Sequence, residues 1–292
     1  MSYTQTTHNT SYPAISPSNP ANSASGKVIL ITGAGSGIGQ AAAASFAEAG
    51  ARTLVLIGRR SDSLTETAEF IRAKHPTAEA TRHAVDVSDA DALKAVVVET
   101  VSDFGSIDVV VHAAGVLPEL RPIATTPVDE LWKAFEINIK GTLNVAQALL
   151  AVSTAVKEDG SEPVLVAVNT AGVLVPPMPG MGGYVVSKAP LLKLVEYIAA
   201  ENAGRIRVVS VHPGIVQTPM ALDLEKSGLK FPYDDMSLPA DFLVWVPGIE
   251  AAFLNGKFAS ANWDVEELMA RKEDIKNGSE LTLALGGLPR TH

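Results

Sequence analysis

Two side chains four residues apart, Tyr184 and Lys188, carry the sharpest chemical signal in the sequence. The segment 182–203 reads as helical, so the pair stands on one face, a turn apart. An ammonium beside a phenol favours the phenolate. It draws a tyrosine pKa down from about 10 toward the range where protons are exchanged near neutrality. The same spacing arises by chance on many helices, so its meaning depends on what stands around it. Asn138 lies midway along an apolar-patterned helix, three residues before Gly141, where a sheet-facing amide needs a partner or a water. It is either a satisfied core amide or part of a site. Gly33, Gly35, Gly37 and Gly39, with Ser36 and Ile38 among them, form a dense turn. Such a turn lets a ligand approach the backbone closely. The N–H groups opening the next helix then offer a partial positive charge, most simply to the pyrophosphate of a dinucleotide.

The elements that must position these groups follow from the apolar pattern. Residues 28–46 read VILITGAGSGIGQAAAASF, a strand, a tight loop and a helix. From Lys27 onward, apolar runs alternate with helical patterns. Strands are predicted at 27–32, 52–57, 80–85, 107–112, 163–169, 205–212 and 257–260. Helices are predicted at 37–49, 63–74, 89–104, 127–156, 182–203, 240–254 and 265–277. This order predicts an α/β fold: a Rossmann-type doubly wound parallel sheet of about seven strands with helices on both faces. Ligands in such sheets bind beyond the carboxyl ends of the strands.

The strand ends are accordingly informative. Arg59 and Arg60 follow the second strand, about 20 residues past the glycine turn, where a dinucleotide fold reads the adenosine ribose. An acid there would bond the 2′-hydroxyl, whereas an arginine pairs with a 2′-phosphate. The sequence therefore favours NADP(H) over NAD(H), the alternative being two solvated surface charges. Asp86 and Val87 follow the third strand. Asp86 either accepts from an adenine amino group or caps the helix beginning near Ser88. Ala114 and Gly115 end the fourth with small residues suited to a backbone running under a cofactor.

Composition narrows the function classes. The 292 residues are 47% hydrophobic and 19% charged, as in a soluble globular protein. The net charge of −9 comes with no basic cluster and argues against nucleic acid or an anionic membrane. No apolar stretch reaches the roughly 20 residues needed to span a bilayer. The absence of cysteine removes disulfides, thiolate metal sites and cysteine nucleophiles, and is compatible with a cytoplasmic location. His8, His75, His83, His112, His212 and His292 share no ligand spacing, so no metal is expected. Residues 1–25, rich in Ser, Thr, Asn and Pro, read as a disordered tail without the features of a secretory signal. Residues 26–292 read as one domain, with 219–239 a loop or lid at the substrate cleft.

Taken together, Thr32 to Gly39, Asp86-Val87, Ala114-Gly115, Asn138, the Tyr184 to Lys188 run and Pro213-Gly214-Ile215-Val216-Gln217-Thr218 fall in the order and spacing of the short-chain dehydrogenase/reductase family. The sequence resembles that family from about residue 27 to 218. Residues 253–258 with Ala261-Asn262-Trp263-Asp264 also resemble the carboxyl-terminal part of a fungal branch of it. The resemblance implies an NADP(H)-dependent oxidoreductase moving a hydride between nicotinamide and a carbonyl or secondary alcohol. Tyr184 would give or take the proton, and Lys188 would bind the nicotinamide ribose and depress the Tyr184 pKa. Asn138 would hold a relay water, and Pro213, Gly214, Val216 and Thr218 would lie along the nicotinamide. It also implies a homodimer or homotetramer paired through the helices carrying Asn138 and Tyr184.

The sequence departs from the family pattern at three points. The family places a serine about 13 residues before the tyrosine; here that position is Ala171, or Thr170 if the Pro-rich loop carries one extra residue. Losing one charge-stabilising donor costs about 10²–10³ in rate in other enzymes. Pro190 lies just after Lys188, where it would kink the helix. His112-Ala113 replaces two asparagines, which predicts a missing hydrogen bond beneath the sheet. Residues 173–178 and 220–236 are apolar in part and predict a fairly large apolar substrate. Phe231, Tyr233, Asp234 and Asp235 predict a lid that orders on binding. Two other readings reuse the cleft: a redox-silent nucleotide-binding regulator or scaffold, and a cyclase or isomerase.

Overall fold

The computed structural model describes residues 2–153, 161–226, 228 and 231–285. Among these, the strands are β1 (Val28–Thr32), β2 (Thr53–Gly58), β3 (Glu79–Ala84), β4 (Val109–His112), β5 (Val164–Val168), β6 (Arg207–His212) and β7 (Phe258–Ser260). They pair in parallel in the order β3-β2-β1-β4-β5-β6-β7. The helices are α1 (Gly37–Glu48), α2 (Ser61–Lys74), α3 (Ala90–Phe104), α4 (Val128–Phe135), α5 (Gly141–Val152), α6 (Gly182–Glu201), α7 (Pro219–Lys226), α8 (Ser237–Trp245), α9 (Val265–Ala270) and α10 (Lys272–Asn277).

Burial on both faces explains why the central strands are continuous aliphatic runs rather than alternating ones. Ile29, Ile31, Leu54 and Leu56 point into one core with Phe46 of α1 and Phe242 and Trp245 of α8. Their neighbours Val28, Leu30, Val55 and Ile57 point into the other, with Val97 of α3, Leu149 of α5 and Leu191 of α6. Each such side chain contributes about 1.5–3 kcal/mol on burial. The chain winds outward from β1 to β3, then returns to lay β4 on the other side of β1. The connections leaving the carboxyl ends of β1 and β4 therefore run to opposite faces of the sheet and open a crevice.

Several expected elements differ. The helix expected at 127–156 is α4, a π-helical turn at Glu136–Lys140, and α5 ending at Val152; its last three residues lie outside the described ones. The helix expected at 265–277 breaks at Arg271 into α9 and α10. That expected at 240–254 starts earlier, at Ser237, and stops before Pro247-Gly248, beyond which Ile249–Leu254 is 3₁₀. Pro190 sits inside α6 without ending it, because it lies on the exposed side where solvent satisfies the carbonyl it leaves. The lid region 219–239 holds α7 and the start of α8, with 227, 229 and 230 outside the described residues. Asp234 and Asp235 are held by backbone hydrogen bonds, their N–H groups donating to the Ile215 and Asn9 carbonyls.

The largest correction concerns residues 1–25. Residues 2–25 are a packed strap, not a disordered tail. Ile15 is fully buried in the α1/α8 core, and Tyr3 and Tyr12 pack against it. The polar side chains that made the segment look disordered find acceptors. Ser11 Oγ donates to Asp241, the Gln5 and Thr6 N–H groups to Glu267, and His8 Nε2 pairs with Asp264 at 2.8 Å. Composition predicts disorder only when such partners are lacking. Ile15→Ala should therefore cost about 2–4 kcal/mol of unfolding free energy. Urea denaturation checks this; an unchanged midpoint would mean that the strap is solvated.

Candidate active site

The crevice is floored by the glycine turn. Gly33 (φ +71°) runs so close to the end of β4 that a Cβ there would lie 2.8 Å from the Ala114 nitrogen and 2.9 Å from the Ala113 carbonyl carbon. Nothing larger than glycine fits. Thr32 Oγ1 strengthens the junction, pairing with His112 Nδ1 at 2.8 Å and accepting the Ala114 N–H at 3.3 Å. The bond expected to be missing at His112-Ala113 is thus made by the imidazole. Ser36 stands at the N-cap of α1 and makes no capping bond through its side chain, so the opening N–H groups of α1 remain available to a ligand.

The opposite wall comes from α6 and the π turn. Lys188 is buried, and its Nζ donates to the Val168 carbonyl at 2.9 Å. Asn138 is fully buried: Oδ1 accepts from the Val116 N–H at 2.9 Å, while Nδ2 donates to the Val116 carbonyl at 3.0 Å and to Ser187 Oγ at 2.8 Å. Ser187 in turn donates to the Tyr184 carbonyl at 2.7 Å. The amide is a satisfied bracket joining the β4 exit to α6. A Cβ at Gly115 would lie 3.1 Å from Asn138 Oδ1 and 3.4 Å from Lys188 Nζ, so the strand exit, the amide and the ammonium meet at one point.

Burial sets the electrostatics. Loss of water pushes the Lys188 amine down from an ordinary 10.5 to about 8 and the Tyr184 phenol up to about 12. The expected depression of the phenol is therefore not found: desolvation is the one cause acting on Tyr184, and no charge contribution from Lys188 opposes it. Burial, with the Lys188 charge adding to it, pushes His112 down to about 3, a neutral imidazole. Burial also raises the Asp86 carboxyl, but the N–H and hydroxyl of Ser88, with Arg59 and Lys133 nearby, outweigh it and hold the group below the usual carboxylate range.

These groups share a cavity of about 470 Å³. Its wall takes Gly33, Gly35, Ser36, Gly37, Ile38 and Gly39 from the turn, and Arg59 and Arg60 from the end of β2. It takes Asp86 and Val87 after β3, Ala114 and Gly115 after β4, Tyr184 and Lys188 from α6, and Pro213 and Thr218 after β6. The sequence profile of the short chain dehydrogenases matches residues 27–227. The chain belongs to that family. A short chain dehydrogenase of Monascus purpureus is 34% identical over 283 residues, covering 96% of this chain and 94% of that one. Levodione reductase superposes with a TM-score of 0.73 at 26% identity, covering 82% of this chain and 96% of its own. NAD⁺-bound xylitol dehydrogenase gives 0.72 at 25%, covering 82% and 99%.

As a short-chain dehydrogenase, the protein is an oxidoreductase that binds a nicotinamide cofactor. The cavity fits one, because the glycines leave open a cradle that side chains would fill, lined at one end by cations and at the other by Tyr184 and Lys188. Four expected residues are not on the wall, among them Asn138, which is fully buried behind Gly115 and Val116. Gly214 and Val216 lie behind Pro213 and Thr218, with Val216 buried and bridged to Asp234. Thr170 opens a 3₁₀ turn at the end of β5, its Oγ1 accepting the Gly172 N–H at 3.1 Å. Asp86 is no helix cap; its Oδ1 accepts twice from Ser88, and α3 starts on Asp89, which accepts from Ala92. The wall also holds residues that sequence reasoning missed. Asn169 was detectable as the first residue beyond β5, whereas Met220 and Asp223 belong to a helix read as a loop.

Among the described residues, no three His, Cys, Asp or Glu side chains come together as metal ligands, and no helix is long and apolar enough to cross a membrane. His292 lies outside the described residues.

The buried ammonium predicts a pH effect. Between about pH 8 and 10.5 the unfolded chain keeps a Lys188 proton that the folded chain has released. Stability contributed by this group therefore rises with pH across that window, the penalty being fully present below pH 8. Lys188→Met should abolish the rise. Urea denaturation of the ligand-free wild type and variant at the two ends of the window tests this, and parallel curves would count against a desolvated ammonium.

Proposed function

We propose that this short-chain dehydrogenase uses NADP(H) to interconvert a carbonyl and a secondary alcohol on a fairly large apolar small molecule, with Tyr184 as the proton donor and acceptor. One observation carries this reading: Tyr184 and Lys188 share a cavity wall with the glycine turn and with the arginine pair that ends β2. The cofactor, when bound, supplies or accepts the hydride at its nicotinamide ring. The N–H groups of α1 and the turn hold the pyrophosphate. Arg59 and Arg60, both exposed at the rim, pair with a 2′-phosphate, and no carboxylate stands at the end of β2 to take a 2′-hydroxyl. Asp86 and Val87 flank the adenine.

Burial keeps the proton on Tyr184, which suits donation to a carbonyl oxygen. Lys188, anchored on the Val168 carbonyl, takes the ribose hydroxyls and favours the phenolate as the proton leaves. Asn138 braces the Val116 peptide and, with its remaining Oδ1 lone pair, takes the relay water. The second donor to the substrate oxygen is Thr170. Asn169, the wall residue at that level, is already committed: its Nδ2 donates to Ser210 and its Oδ1 accepts the Thr170 N–H. The Thr170 hydroxyl uses its oxygen on Gly172 and keeps its own hydrogen to donate. Met220 and Leu117 give the substrate end apolar surface. Leu143, Val186 and Tyr197, exposed on α5 and α6, support pairing into a homodimer or homotetramer.

A cyclase or isomerase reading rests on one observation, that Thr170 is not part of the cavity wall. NADPH consumption with a panel of apolar ketones and quinones separates the two. Tyr184→Phe should lower kcat by about 10²–10⁴-fold with NADPH binding retained, and Thr170→Ala by about 10²–10³-fold. Arg59→Ala with Arg60→Ala should raise KM for NADPH and leave that for NADH. An intact Thr170→Ala enzyme would remove the second donor from the mechanism. NADPH binding without turnover of any panel member would favour the non-redox reading.

A further inference from the structure

The Asn262-Trp263-Asp264 run and the N-terminal strap have no role in the chemistry above, yet they meet behind the nicotinamide end of the cavity. Gly214 (φ +81°) separates Pro213 from the segment leading to Thr218, both on the cavity wall. A Cβ at Gly214 would lie 2.5 Å from Asp234 Oδ2 and 3.3 Å from Asn262 Oδ1, so both side chains crowd the same face of the glycine. Asp234 grips the next residue at both ends: its Oδ2 accepts the Ile215 N–H at 2.8 Å, and its own N–H donates to the Ile215 carbonyl at 2.7 Å. Asp234 also forms a parallel bridge with Val216.

The strap closes this arrangement from outside. The His8 N–H donates to the Asn262 carbonyl at 2.8 Å, and Asn262 Nδ2 donates back to the His8 carbonyl at 3.0 Å. The Asn9 carbonyl accepts the Asp235 N–H at 2.7 Å. Inward from the clamp, Thr218 lies 3.1 Å from where a Gly37 Cβ would stand, so the position of this segment sets the gap across the cleft from the start of α1.

We propose that Asp234 and Asn262, packed against one face of Gly214, clamp the segment from Gly214 to Val216, that residues 8 and 9 of the strap hold the clamp shut, and that Asp234 is thereby a positioning residue for the nicotinamide end of the site. The inference rests on the NADP(H) reading. A clamp on this segment affects a ligand that reaches Pro213 and Thr218 and spares one that occupies only the adenosine end. Loss of fold or of general packing would affect both.

The test is binding of NADPH and of adenosine 2′,5′-bisphosphate, measured calorimetrically, with thermal unfolding as a check on the fold. Asp234→Ala should weaken NADPH about tenfold, the scale of one hydrogen bond to a charged acceptor, and leave the bisphosphate unchanged. Asp234→Asn, which keeps an oxygen for the Ile215 N–H, should recover most of the loss. Asn262→Ala and deletion of residues 2–10, which spares Tyr12 and Ile15, should show the same selectivity. Unchanged NADPH affinity in Asp234→Ala, or equal losses for both ligands, would overturn the clamp while leaving the cofactor reading in place. Unchanged affinity in both the deletion and Asn262→Ala would overturn the role of the strap. A wild-type protein that binds neither ligand would refute the NADP(H) reading, and the clamp with it.

Discussion

The contact on which the site depends is between two stretches of backbone. Gly33 passes the Ala113-Ala114 peptide at a distance that leaves no space for a side chain, at the point where the sheet changes its winding direction. Hydrogen bonds from Thr32 to both His112 and Ala114 lock the exits of β1 and β4 together there. From this junction the positions of the other groups follow. Gly115 comes to rest against Asn138 and Lys188, Val116 is held by the Asn138 amide, and α1 presents its N-terminus to the same space. The π turn around Asn138 belongs to this constraint as well, since it inserts the amide between the β4 exit and α6 without ending the helical path.

Around that junction the protein sustains an electrostatic cost. A lysine, a tyrosine and a histidine are withdrawn from water within one region, and each is driven toward its neutral form. Sequence logic pairs Tyr184 with Lys188 and expects attraction to prevail. Desolvation prevails instead, which keeps the phenolic proton in place. The neutral imidazole of His112 suits this setting, because a second cation beside Lys188 would be costlier still.

Most of the fold is legible in the sequence because buried parallel strands leave an unmistakable aliphatic signature, and five of the seven lie in such runs. Boundaries fail where local chemistry, not periodicity, decides them: at Arg271, at Pro247-Gly248, and at the π turn, whose apolar spacing is close to that of the helices flanking it. The glycine turn and the strand-end residues are legible because their roles depend on position along the chain. Thr170, Gly214 and Val216 are less so, since small shifts of a loop decide whether a residue lines a wall or supports it from behind. The strap is illegible for a different reason. Its Gln5, Thr6, His8 and Ser11 are held by Glu267, Asp264 and Asp241, partners more than 200 positions away that no local pattern announces.

That distance along the chain has a bearing on biosynthesis. Residues 4–12 leave the ribosome more than 200 residues ahead of residues 234–267, from which their seat is built. The strap has no native partner during most of synthesis and docks only when the sheet edge at β7 and the adjoining helices are in place. Closing a loop of this length is entropically slow compared with the local βα pairings that precede it. A segment made before the sheet that receives it is therefore among the last to find its place.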